Sequence, residues 1–138
     1  MTPVPEASIF TRIINREIPS HIVYEDGACI VILDKFPGIS GQSLVIPKQQ
    51  SAYIFDLEDN IYEHILMVSK KIARALDTVF MTERTCLVIE GFEVPHVHIK
   101  LYPMLSTTPN LSHILASTAE ASDAELQLLE EKIKTVLQ

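Results

Sequence analysis

The chain has 138 residues, 47% of them hydrophobic and 21% charged, which is enough for one domain with a single core and leaves little room for a second. Its formal net charge of −7 repels phosphate backbones at long range, so a broad DNA- or RNA-coating role is disfavoured while a small anion in a locally positive pocket is not. The two cysteines, Cys29 and Cys86, sit in apolar runs with no CxxC pair, and neither a secretory leader nor a run of bilayer length is visible. We therefore expect two buried thiols and a reducing, cytoplasmic setting, with no membrane partner.

Residues 1–7, with Pro3 and Pro5, read as a loose arm. Apolar residues at 9, 10, 13 and 14 give the spacing of a short helix face, which Pro19 ends. Two strands follow, His21 to Glu25 and Cys29 to Leu33, joined by Asp26-Gly27, a strong hairpin signal. Asp34 stands at the mouth of the second strand. Residues 35–41 carry Pro37, Gly38 and Gly41 and form a loop, and Ser43 to Ile46 is a third strand stopped by Pro47.

Ile61 to Phe80 is the clearest helix. Its apolar residues at 61, 65, 68, 72, 76 and 79 form one stripe, with Asp59 or Asn60 available as cap. Leu66, Met67 and Ala73 lie off that stripe, and a helix apolar on more than one face calls for a second partner, so a homodimer is expected. Thr85 to Ile89 and His96 to Tyr102 read as further strands, residues 106–122 as irregular or weakly helical, and Leu126, Leu129, Ile133 and Leu137 mark a terminal helix. This order predicts an α+β fold: a mostly antiparallel sheet of about five strands, a short N-terminal helix, one long central helix and a C-terminal helix.

The segment Pro95-His96-Val97-His98-Ile99-Lys100-Leu101-Tyr102 alternates throughout. In a strand, His96, His98, Lys100 and Tyr102 line one face, successive members about 7 Å apart, and Val97, Ile99 and Leu101 pack from the other face on the long helix. Two imidazoles and an ammonium in a row suit an anion. A neutral imidazole is also a good nucleophile toward phosphorus near neutral pH. From the residues alone, the pattern is equally that of a solvated strand face.

The wider pattern resembles the histidine triad superfamily over roughly residues 8–103. The opening Ser8-Ile9-Phe10-Thr11-Arg12-Ile13-Ile14-Asn15-Arg16-Glu17-Ile18-Pro19, then Tyr24-Glu25-Asp26, Leu33-Asp34, Gly41-Gln42-Ser43-Leu44-Val45-Ile46-Pro47-Lys48 and the histidine segment follow in that superfamily's order and spacing. The resemblance divides the chain into an arm (1–7), a domain (8–103) and a C-terminal extension (104–138) ending in a helix. It implies a purine-nucleotide site without a cofactor. His98 would attack the α-phosphate and form a nucleotidyl-histidine, supported by His96 and Lys100. Asp34 would hold the ribose hydroxyls, Phe10, Ile13 and Ile32 would line the base pocket, and Gln42 would stand beside the nucleotide.

The departures bear on turnover. Lys100 replaces the third histidine, Gln42 and Gln50 stand where relatives often carry histidine, and the short link Ile89 to Pro95 lacks the usual Gly-Gln-Ser/Thr. A nucleotide-binding protein with weak or no turnover is therefore the alternative to an enzyme. The places used by zinc-binding relatives hold Ser8, Thr11, Gln50 and His96, so no metal site of that type is expected. His21, His64 and His113 are expected at the surface, and Lys48 in a solvated loop.

Overall fold

The computed structural model describes residues 6–108, 110–115 and 118–138, so most of the expected N-terminal arm lies outside the described residues. Ser8 starts helix α1 (Ile9–Ile14): its hydroxyl accepts the Thr11 N–H, satisfying one of the free donors of the first turn. Strands β1 (Ile22–Glu25) and β2 (Cys29–Leu33) form the expected hairpin. Its turn is held by Asp26, whose Oδ1 accepts the N–H groups of Ala28 and Cys29 at 2.8 and 2.9 Å.

Strand β3 (Ser43–Pro47) and a short 3₁₀ turn (Ile54–Asp56) lead into the long helix α2 (Asp59–Phe80). Neither Asp59 nor Asn60 caps it. The N-cap position is Glu58, without a side-chain bond to the helix. After β4 (Arg84–Val88) and β5 (Ile99–Met104) come a single helical turn α3 (Ser112–Leu115) and α4 (Asp123–Leu137), whose N-cap Ser122 accepts the Glu125 N–H.

All four strand pairings are antiparallel and the sheet order is β1-β2-β3-β5-β4. One face carries Val31, Val45, Ile99 and Leu101 against Ile65, Val68, Ile72 and Leu76 of α2, with Val97 in the same cluster as expected. Leu126, Leu129 and Ile133 of α4 enter that core too, so the C-terminal extension is part of the main body. The opposite face holds a smaller cluster in which Phe10 and Ile13 of α1 cover Ile30, Ile32, Leu44 and Ile46. Burial on both faces explains why β2 and β3 read as continuous apolar runs rather than alternating ones.

The last strand departs from expectation. It begins at Ile99, not His96. Its partner β3 ends at Pro47, which has no N–H to continue the ladder. Residues 96–98 run on alongside residues 47–51 as irregular chain, with the Val97 N–H donating to the Ser51 carbonyl at 2.7 Å. Cys29 is fully buried and Cys86 partly so, both as free thiols.

Candidate active site

Although the regular strand starts only at Ile99, the alternation persists through the preceding residues: the His96 and His98 rings both meet Phe10, at 5.8 and 4.9 Å, while Val97, Ile99 and Leu101 lie in the core of the other face. His96 is fully buried and both its ring nitrogens are occupied. Its Nε2 lies 2.8 Å from the Pro47 carbonyl, which can only accept, so Nε2 carries the proton. Nδ1 is then the acceptor, 2.6 Å from the Ser8 hydroxyl. Burial lowers the His96 pKa below the ordinary imidazole value, consistent with a neutral ring.

Ser8, Thr11, Gln50 and His96 do meet in space, as a hydrogen-bond cluster. Gln50 Oε1 accepts from the Ser8 N–H at 3.0 Å and from the Thr11 hydroxyl at 2.6 Å, while Ser8 reaches His96. The cluster ties α1 and the chain after β3 to the segment before β5. That hydroxyls and an amide bond one another there was not legible in the sequence.

His98 is differently placed. Its Nδ1 lies 2.8 Å from the His96 carbonyl and must donate to it, so Nε2 is left with its lone pair. The ring is buried, with the Phe10 ring edge-on at 4.9 Å. Burial lowers its pKa, partly opposed by the bond to the His96 carbonyl, so the ring is neutral near pH 7.

Asp34 faces His98 and Lys100 closely enough for both to act on its charge, yet burial prevails and raises its pKa above the usual aspartate value. Its Oδ1 accepts the Phe36 N–H at 2.8 Å and its Oδ2 accepts Gln42 Nε2 at 2.9 Å. Each oxygen keeps a further lone pair for a ligand hydroxyl. Gln42 also accepts the Gly38 N–H at 2.7 Å and is only 5% exposed. Its amide thus links Asp34 to the Gly38 backbone, and with Asp34 and Gly41 it borders a second, smaller cavity. Preceding Gln42, Gly41 has φ 89°, and a Cβ there would collide with the Phe80 ring.

Phe10, Ile13, Ile32 and Asp34 border one cavity of about 810 Å³, as sequence reading grouped them. Lys100 lies between Leu44 and Val88 in the sheet register, and its ammonium pairs with Glu90 at 3.2 Å. Glu90 was not anticipated, because only the pairing of β4 with β5 brings it there. Tyr102, two residues on from Lys100 along the same face of the strand, is buried with Met104 and Ile114, its hydroxyl pKa pushed up to about 12 by burial.

Elsewhere His21 and His64 make specific contacts. His64 Nε2 meets Asp26 at 2.6 Å, and His21 sits between Asp123 and Glu130 at 3.3 and 3.4 Å. Lys48 pairs with Glu25 at 3.0 Å. Among the described residues, Asp26, Cys29 and His64 are the one group of ligand-type atoms close enough to share a metal ion. The Asp26 carboxylate there already accepts from Ala28, Cys29, Tyr24 and His64, and the Cys29 thiol pKa is raised to about 12, chiefly by burial. That set reads as a tether between the hairpin and α2. No described helix is long and apolar enough to cross a membrane.

An antiparallel five-stranded sheet thus carries a buried, tautomer-fixed histidine, and Phe10 lies between that ring and an apolar cavity bordered by Asp34. A family model described as HIT domain matches residues 15–104, and the chain belongs to that family. It is similar to an uncharacterized HIT-like protein of Borreliella burgdorferi, 37% identical over 69% of this chain and 73% of that one. An adenosine 5'-monophosphoramidase of Saccharomyces cerevisiae is 34% identical over 70% of this chain, and the match spans 62% of that protein's length. The crystal structure of a HIT-like protein involved in cell-cycle regulation from Bartonella henselae superposes with TM-score 0.85 at 25% identity, covering 98% of this chain and 99% of that one.

Proposed function

We propose that the protein binds a purine nucleotide conjugate and hydrolyses or transfers at its α-phosphate through a nucleotidyl-histidine on His98. The observation that carries this reading is the bond from His98 Nδ1–H to the His96 carbonyl, which leaves Nε2 of a buried ring unprotonated where the Asp34 and Lys100 charges act on it. In the first step Nε2 bonds to phosphorus as the bond to the leaving group breaks, and the leaving group departs with the electron pair and takes up a proton from solvent. Water then attacks the same phosphorus, the N–P bond breaks, the imidazole regains its lone pair, and the water proton passes to solvent. Asp34 holds the ribose hydroxyls, Phe10, Ile13 and Ile32 contact the base, and Lys100 offsets charge on the non-bridging oxygens. His96 and Gln42 act through others: His96 positions His98, and Gln42 positions Asp34.

A second reading, nucleotide binding with weak turnover, is favoured by the Lys100–Glu90 pair, which draws on the one cation of the histidine segment. A panel of nucleoside phosphoramidates and dinucleoside polyphosphates separates the two. Multiple turnover with any of them supports the enzyme. Saturable nucleotide binding without turnover supports the second reading.

We also infer a cytoplasmic homodimer. β4 is an edge strand with Leu87 exposed, and α2 leaves Met67 exposed on its outer side. Sedimentation at micromolar concentration is expected to show twice the chain mass, and monomer alone would contradict it.

A further inference from the structure

The cavity beside Asp34 has a wall that the family match does not cover. Asp123, Leu126, Gln127 and Glu130 of α4 line it opposite Phe10 and Ile32, whereas the match ends at residue 104. This wall is built into the fold. Leu126, with Leu129 and Ile133, is anchored in the main core, and His21 lies between Asp123 and Glu130. The chain leading into α4 is fixed to the Asp34 loop as well, since the Ala121 N–H donates to the Lys35 carbonyl at 2.9 Å.

The two sides of the cavity differ in chemistry. The α1 and β2 side is apolar and suits the faces of an aromatic ring. The α4 side offers oxygen acceptors. Asp123 and Glu130 are carboxylates, Glu130 also pairing with Lys134 at 2.7 Å, and Gln127 gives one amide N–H to Glu131 at 3.3 Å and keeps its carbonyl oxygen for a ligand. A base edge bearing an amino group meets a complementary acceptor at this wall. An edge bearing a carbonyl at the same position loses that contact and sets oxygen against oxygen, which disfavours it by about the worth of one hydrogen bond.

We propose that α4 is the base-recognition wall of this cavity and that Gln127 is its specificity-determining residue, selecting nucleotides whose base carries an exocyclic amino group over those with an oxo group there. The proposal rests on the nucleotide reading above and adds to it the residue and the chemical group that set base choice. AMP and IMP differ in that group, so calorimetric titration of the full chain with each is the test. Wild type is expected to bind AMP about tenfold more tightly than IMP, the worth of one hydrogen bond with its mismatch avoided. Gln127→Leu, at an exposed helix position, is expected to bring the two affinities within about twofold, chiefly by weakening AMP, with its circular dichroism unchanged. Equal binding of AMP and IMP by wild type, or an unchanged ratio in Gln127→Leu, overturns the role of Gln127 while leaving the nucleotide site standing. Failure of wild type to bind either nucleotide overturns the nucleotide reading itself, and this inference with it.

Discussion

His98 donates its Nδ1–H to the main-chain carbonyl of His96, 2.8 Å away, so one histidine sets the protonation pattern of the other through the backbone. The His96 ring is meanwhile locked between Ser8 and Pro47. The two imidazoles thus carry opposite tautomers, His96 protonated on Nε2 and His98 on Nδ1, and only His98 has a nitrogen to offer a substrate.

His96 is accordingly expected to matter more for stability than for chemistry. His96→Ala leaves the Pro47 carbonyl without its donor, deprives the Ser8 hydroxyl of its closest acceptor and opens a cavity in a buried site, which costs about 2–5 kcal/mol of unfolding free energy. Ser8→Ala removes a helix cap and one partner of the ring, costing about 1–2 kcal/mol. Urea unfolding of both variants checks this. A His96→Ala protein as stable as wild type would contradict the assignment.

Lys100 is expected to bind phosphate against competition from Glu90. Lys100→Ala is expected to weaken nucleotide binding by about 1 kcal/mol, the low end for a charge-assisted contact because the pair with Glu90 is lost as well. Glu90→Gln frees the ammonium and is expected to tighten binding. Lys100→His separates the two functional readings: similar or lower activity agrees with an enzyme already tuned to lysine, and a gain agrees with a weakened site. Calorimetry and turnover assays on the three variants supply the comparison.

The pH profile follows from burial. His98 attacks as the neutral ring, and its pKa is lowered, so the acid limb of kcat/KM is expected below the ordinary imidazole value of 6.5. Asp34, raised above the usual 3.8, takes up a proton earlier than a solvated aspartate and adds a loss of ribose binding on the same side. Stability moves in the same sense. His96 and His98 bind protons more weakly folded than unfolded, so their contribution is present above the unfolded value and is lost as pH falls through the folded ones. An inflection in kcat/KM above 6.5 assigned to His98 would contradict this account.

Much of the scaffold was legible because local signals agreed. Asp26-Gly27 marked the hairpin, the stripe on α2 marked its buried face, and Ile99 and Leu101 alternated as a strand requires. The start of the last strand was read three residues early, because alternation continues back through His96 although Pro47, on a different strand, ends the ladder first. The residues that Gln42 and Lys100 bond to were invisible for the same reason: Gln42 turns back on Asp34 within its own loop, and Glu90 meets Lys100 only across a strand pair. The α4 wall joins positions more than a hundred residues apart, such as His21 and Asp123, which no periodicity encodes.

The claim on which the rest depends is that His98 Nε2 bonds covalently to phosphorus. Rapid quenching of the full chain with adenosine 5'-phosphoramidate, followed by intact-mass measurement and peptide mapping, tests it directly. An adduct of one adenylyl group on the peptide containing His98, forming and decaying at rates compatible with turnover and absent from His98→Ala, is the predicted result. Hydrolysis that proceeds at the wild-type rate in His98→Ala, or an adduct on any other residue, would contradict it.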